Sequence, residues 1–187
     1  MLLIRLVAAT LILCAAGGPQ AVPPVSATIK YFLRDELQHR WCGYSSEKRW
    51  TSRIEAADPE MMGSLQYDHG HISQICIRQL NSTGDWVLDD QYEVSQKGEI
   101  VKLFRVVGYL SEDALKRESY EIQDGRATRK TRSVISMTTQ EILPSPSPLD
   151  EVGSWQIFTR TKDLPFVALI ERFRSSGVNE PELCVPF

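Results

Sequence analysis

The stretch "QYDHGHISQIC" (66–76) packs an aspartate, two of the chain's three histidines and a cysteine into eleven positions. In an extended backbone His69 and His71 lie on one face, two residues apart. Two imidazoles so placed can share a zinc or copper ion, with Asp68 near enough to ligate or to orient a ring. Cys76, five positions from His71, falls on the opposite face of a regular strand. His39 is the only other histidine, and structural sites normally declare three or four ligands by their spacing. The plainer reading makes Asp68, His69 and Gly70 a polar turn that leads into a strand. No cofactor is expected on that reading, and a metal-binding or acid–base site at Asp68, His69 and His71 is its rival.

Two further groups carry charge in a suggestive pattern. Asp90 and Arg105 are expected to oppose each other on an otherwise apolar face, where burial could perturb the carboxyl and suit it to general-base work. A fixed structural ion pair is the commoner outcome. "RATRKTR" (126–132) sets four basic residues in seven. An extended backbone would put Arg126, Lys130 and Arg132 on one face, able to hold an anionic group. Glu118 and Glu121 on a partner strand would neutralise much of it, leaving a solvated face. The chain lacks a nucleophile elbow, a zinc-protease helix, a C-x-x-C pair, a phosphate loop and a dinucleotide fingerprint. The sequence therefore leans away from an enzyme without excluding one.

The chain has 187 residues and a formal charge of −3. A single Arg5, the apolar run "LVAATLILCAA" (6–16) and the small residues after it read as a signal peptide over 1–21, with cleavage after Gly17 or Ala21. The run is too short to span a bilayer, which takes about 20 apolar residues. Cys14 raises a lipid anchor, but Leu13 stands where a small residue normally precedes a lipidated cysteine. A secreted or periplasmic protein with no membrane span is expected, one domain over 22–187. Loss of Arg5 with the signal takes the charge from −3 to −4, against a nucleic-acid partner. Cys42, Cys76 and Cys184 remain. An oxidising compartment favours one bridge, and Cys42–Cys184 is expected, with Cys76 a small core residue.

What must position these groups is mostly β-structure. "SATIKYFLRDELQHRWC" (26–42) spaces Ile29, Phe32, Leu33, Leu37 and Trp41 as an amphipathic helix, and "RWTSRIEAAD" (49–58) alternates as a strand. "DWVLDDQYEVSQKGEIVKLFRVVGYL" (85–110) folds on itself about Lys97-Gly98. A two-residue turn there sets Trp86 against Tyr109, Leu88 against Val107, Asp90 against Arg105, Tyr92 against Leu103 and Val94 against Val101, with Glu93 against Lys102 on the reverse. Upstream, "ISQICIRQL" (72–80) is expected to pair Leu80 with Trp86, Arg78 with Leu88 and Cys76 with Asp90. That register sends Ile75 and Ile77 to the other face. "NST" (81–83) is a glycosylation sequon at the loop tip.

A second hairpin is expected over 118–139 about Asp124-Gly125, then a proline-spaced connector (143–150) and a strand at "SWQIFTR" (154–160). A helix follows, capped by Asp163, striped by Phe166, Leu169, Ile170 and Phe173, and stopped by Gly177. The sum is an α+β protein: an antiparallel meander of about six strands with an amphipathic helix before it and another near the C-terminus. In topology alone, a helix wrapped by a curved meander resembles the plan of cystatin-like and NTF2-like folds. The function expected is a non-catalytic binding or interaction module. Its apolar groove would be lined by Trp86, Tyr92, Phe104 and Tyr109 and would take an apolar small molecule or a protein segment.

Overall fold

A computed structural model describes residues 27–57, 59–81, 83–144, 155–175 and 182–187. The expected signal peptide, Cys14, Gly177 and residues 145–150 of the proline-spaced connector lie outside them. Nine strands form one antiparallel sheet: β1 (Thr28–Asp35), β2 (Arg40–Tyr44), β3 (Met61–Asp68), β4 (His71–Leu80), β5 (Trp86–Val94), β6 (Ile100–Tyr109), β7 (Ala114–Gln123), β8 (Arg126–Ser136) and β9 (Glu182–Pro186). Their order across the sheet is β8-β7-β6-β5-β4-β3-β1-β2-β9. Two helices accompany it, α1 (Glu47–Ala57) and α2 (Val167–Ser175). The class is α+β as expected, and the described residues form nine strands where about six were read, with residues 28–44 in strands where a helix was read.

The N-terminal expectations exchange places. Residues 28–44 form the hairpin β1–β2 in place of a helix, and 47–57 form α1 in place of a strand. The apparent helical stripe mixed two different environments. Phe32 and Leu33 are both buried but on opposite faces of β1, while Leu37 is 86% exposed in the turn. A strand covered on both faces loses its alternation, so adjacent apolar residues imitate a helical stripe. In α1, Trp50 and Ile54 share a face at i, i+4. The Trp50 indole N–H donates to the Phe32 carbonyl at 3.0 Å, and its ring stacks on Tyr31 at 4.9 Å. Helix α1 thereby covers the outer face of β1–β3, with Leu33, Cys42, Tyr44 and Met62 beneath it.

The other hairpins follow their turns. β5 and β6 pair in the expected register from Trp86–Tyr109 to Glu93–Lys102. The turn is longer than two residues, the Ser95 N–H bonding the Glu99 carbonyl at 2.8 Å. A bulge after Glu93 consequently brings Val94 to Ile100 rather than Val101. β7 and β8 turn at Asp124-Gly125, both at positive φ (50° and 72°), as a two-residue hairpin whose twist matches the strands requires. The β4–β5 register is corrected by one residue. Leu80 meets Val87, Arg78 meets Asp89 and Ile77 meets Asp90, which carries Ile75 and Ile77 onto the same face as Tyr92. A one-residue slip reverses every side chain. Here the Arg78–Asp89 fork, at 2.6 and 2.7 Å, joins the strands in the observed register.

The main core lies on the inner face. Phe32, Leu65, Ile75, Ile77, Tyr92, Leu103 and Ile122 of the sheet pack against Phe158, Phe166, Leu169 and Ile170. The expected stripe of α2 is therefore the surface that docks. Asp163 does not cap it; it sits in a 3-10 turn and receives the Arg160 guanidinium at 2.6 and 3.1 Å. Residues 155–160 are not a strand. Among the described residues they make one bridge, Arg160 to Glu99, because they run over the inner face instead of joining an edge. At the far end of the sheet Cys42 and Cys184 are direct β2–β9 partners joined by a disulfide, as expected. Cys76 keeps its thiol and is buried.

Two glycines admit close neighbours on the inner face beside Phe32, their partner in register. A Cβ on Gly43 would lie 2.1 Å from the Phe173 ring tip, whereas one on Gly63 would meet the Cys76 carbonyl oxygen at 2.0 Å. A ring can swing aside and a ladder carbonyl cannot. Gly63→Ala should therefore cost about 1–3 kcal/mol, the usual cost of overpacking, and Gly43→Ala distinctly less, measured by urea unfolding of both variants. Asp113, which follows a short 3-10 turn, accepts from the Ser136 hydroxyl, the Thr138 hydroxyl and the Thr138 N–H at 2.8, 2.8 and 3.1 Å. Those hydrogen bonds hold its carboxyl below the usual carboxylate range. A lowered folded-state pKa contributes stability above the unfolded value of about 3.9 and loses it as pH falls. The stability gap between the protein and Asp113→Asn should accordingly close as the pH is lowered through the folded-state pKa of Asp113, followed by thermal unfolding across a pH series.

Candidate functional site

The structure places the residues that sequence spacing had grouped at one hairpin tip. Asp68 and His71 are the last and first residues of β3 and β4 and face each other, with His69 and Gly70 as a two-residue turn at φ 49° and 81°. His69 Nδ1 contacts Asp68 Oδ1 at 2.9 Å on an exposed tip. Among the described residues, the one trio of ligand-bearing side chains within mutual reach is Cys42, Glu182 and Cys184. Its two sulfurs are bonded to each other. The turn thus joins Asp68 to His69 at the hairpin tip, with His71 opposite Asp68 across the ladder.

The four aromatic residues are divided. Tyr92 is fully buried in the main core. Trp86 and Tyr109 belong to a second cluster with Leu88, Val107 and Val134. Phe104 sits half-buried on the other face, between Leu103 and Arg105 in the alternation of β6. Trp155, which sequence spacing did not single out, completes the second cluster. Its ring meets Trp86 at 5.6 Å and Tyr109 at 6.4 Å, and the Lys116 ammonium lies 5.6 Å from it.

Between these two apolar clusters runs a row of alternating charge. Cross-strand partners place Asp90 of β5 beside Arg105 of β6, Arg105 beside Glu118 of β7, and Glu118 beside Arg132 of β8. Arg105 grips Asp90 with two parallel bonds, Nε to Oδ1 and Nη2 to Oδ2, each 2.7 Å. The Tyr92 hydroxyl donates to Asp90 Oδ2 at 3.0 Å, and the Tyr120 hydroxyl to Glu118 at 3.0 Å. Arg129 reaches Glu118 at 3.3 Å and Arg132 at 3.9 Å, while Lys130 pairs with Glu121 at 2.7 Å. The row rises from exposed arginines at the sheet edge to an Asp90 only 1% exposed.

Burial governs the titration of this row. It pushes the Asp90 carboxyl up, against the pull of the Arg105 guanidinium and the Tyr92 hydroxyl. Burial and the neighbouring Asp90 raise Tyr92. Tyr109 is pushed up to about 12 by burial, with Glu112 and Glu118 adding to it. Both Asp90 oxygens are occupied, so the geometry suits Asp90 to holding Arg105 and not to taking a proton from a substrate.

What Arg105 does with its remaining donors is the informative point. Its Nη1 donates to the Trp155 carbonyl at 3.2 Å and its Nη2 to the Gln156 carbonyl at 2.9 Å. The guanidinium thus fastens residues 155–160 across the inner face. The Asp90–Arg105 pair was legible from the hairpin register. Glu118 was read as a partner of the basic strand, as it is, but its place beside Arg105 and the role of Trp155 were not, because β7 and the 155–160 segment meet Arg105 only after the sheet is assembled. No family model, no curated protein and no solved structure matches this chain.

Removing one partner of a buried ion pair strands the other. Asp90→Ala should destabilise the fold by about 3–5 kcal/mol, whereas Asp90→Leu combined with Arg105→Met should recover much of that loss. Equilibrium urea unfolding of the single and double variants measures both. A single-variant loss below about 0.5 kcal/mol, as for an exposed pair, contradicts the buried geometry.

Proposed function

We propose that this protein is an exported, non-catalytic binding module whose inner sheet face takes an apolar ligand bearing an oxygen acceptor. The observation that carries the reading is the seating of residues 155–158. Arg105 holds two carbonyl oxygens, Trp155 lies among Trp86, Tyr109 and Lys116, and the Phe158 ring lies 6.4 Å from Tyr92. Those are the groups that bind a molecule with a greasy body and a polar end: apolar walls, and a buried guanidinium to orient the oxygen. In this arrangement the chain's own segment fills the place of the ligand.

That segment is held by few backbone bonds among the described residues. Beyond Arg105 these are a Phe158 backbone bond to Tyr92, the Glu99–Arg160 bridge, and the Thr161 hydroxyl bonding the Gly98 carbonyl at 3.1 Å. Its exchange for a ligand breaks far fewer backbone bonds than the removal of a strand. Export is supported by the signal-like residues 1–21 and by the Cys42–Cys184 disulfide, a pairing that oxidising compartments permit. Among the described residues no helix is long and apolar enough to cross a membrane.

The test uses hexadecanoate as the probe, with calorimetry and detergent-free native mass spectra of the mature protein. Trp155→Ala with Phe158→Ala weakens the internal occupant, so the double variant should bind hexadecanoate about tenfold or more tightly than the unaltered protein. Retention of an organic mass by the unaltered protein would point the same way. Bare spectra and no measurable heat in either protein would overturn the reading.

A further inference from the structure

The two edges of the sheet are treated differently. β9 closes one edge with five residues, a proline at its end and a disulfide to its neighbour, which are the usual ways of blunting an edge. β8 forms the other with eleven residues. Only its final turn of strand is covered: the Ser136 N–H bonds the Glu141 carbonyl at 3.0 Å, the Leu143 N–H bonds the Val134 carbonyl at 2.9 Å, and Ile135 bridges Ile142. Over 126–133 no strand lies on the outer side of β8 among the described residues. The chain itself therefore demonstrates that this edge accepts an extended segment, and among the described residues none pairs with its other eight positions.

The side chains along that open stretch are strongly one-signed. Arg126, Arg129, Lys130 and Arg132 are all exposed there. The nearby carboxylates on β7 are Glu118, buried and shared by Arg129 and Arg132, and Glu121, paired with Lys130. On the described strands β7 and β8 these four cations face two carboxylates, and one of those carboxylates is already inside the row beside Arg105. A bulge between Ser119 and Tyr120 divides the basic residues between the two faces of β8. Arg129 and Arg132 fall on the inner side with Glu118, and Lys130 on the outer side with Glu121.

We propose that the open edge of β8, residues 126–133, is a docking site for an extended acidic segment of a partner protein, which adds a tenth strand. Backbone bonds to the edge give affinity, and carboxylates at alternate positions of the incoming strand meet the basic residues on either face. A second copy of this chain is a poor occupant. Antiparallel pairing of 126–132 with itself sets cations against cations, which destabilises a sheet. The same charge that blocks self-pairing selects an acidic strand, so one feature gives both exclusion and preference. This surface is independent of the inner face, and either reading can fail without the other.

The test is fluorescence anisotropy of the full mature protein with a labelled peptide of alternating valine and glutamate, at low and at physiological salt. The peptide should bind, and the exposed reversals Arg126→Glu and Lys130→Glu together should weaken it about tenfold or more while leaving the thermal unfolding midpoint unchanged. A peptide of the same charge, N-methylated at every second residue, cannot pair along an edge and should not bind. Equal binding of the methylated peptide would reduce the site to charge attraction alone and overturn strand addition. So would the absence of binding by the parent peptide, or sedimentation showing a dimer that the charge reversals dissolve.

Discussion

A buried guanidinium has to be neutralised, and its donors have to be filled. Arg105 is 2% exposed, and an arginine cannot relieve that burial by losing its proton. Asp90 supplies the charge and two acceptors, and the Trp155 and Gln156 carbonyls supply two more. Each acceptor fixes something larger. Asp90 opposite Arg105 sets the register of β5 and β6. The two carbonyls set where the chain crosses the inner face before α2. Glu118 beside Arg105 continues the alternation toward the sheet edge. The charged row thus divides the inner face into two apolar clusters and orders the segment that spans them.

The sheet around this row is covered unequally. α1 protects the outer face of β1–β3, and α2 with residues 155–166 protects the inner face. Strands under two layers lose the alternation that normally reveals a strand. β1 is the clearest example, with Phe32 and Leu33 adjacent and both buried. α1 was hidden for the complementary reason. One tryptophan and one isoleucine make a narrow apolar face, and the intervening polar residues alternate as readily in period two as in 3.6.

The candidate site was legible in proportion to how local its contacts are. The Asp90–Arg105 pair belongs to one hairpin, and its register followed from six apolar and charged pairs that had to agree at once, five of which form. The β4–β5 connection offered fewer constraints. A slip of one residue there exchanged the faces of Ile75 and Cys76, and the Arg78–Asp89 fork and the burial of Ile75 and Ile77 beside Tyr92 distinguish the two registers. The second hairpin had no register that satisfied every charge, because its ladder shifts at Ser119–Tyr120. The histidine pair was conspicuous by spacing alone, and in the fold it is the corner between β3 and β4.

By itself the sequence determined the α+β class, the β5–β6 hairpin, the Asp124-Gly125 turn, the docking stripe of α2 and the preference for Cys42 as the partner of Cys184. Each rests on a periodicity, a turn or an elimination among few residues, and such signals act over short distances or small sets. The tertiary structure alone decided that residues 28–44 are strands, that nine strands share one sheet, and that Arg105 meets Glu118 and the carbonyls of 155 and 156. Those outcomes depend on which faces end up covered. Coverage is set by elements well outside the covered strand, from α1 18 positions from Phe32 to residues 155 and 156 some fifty positions from Arg105, and no local pattern of residues records it.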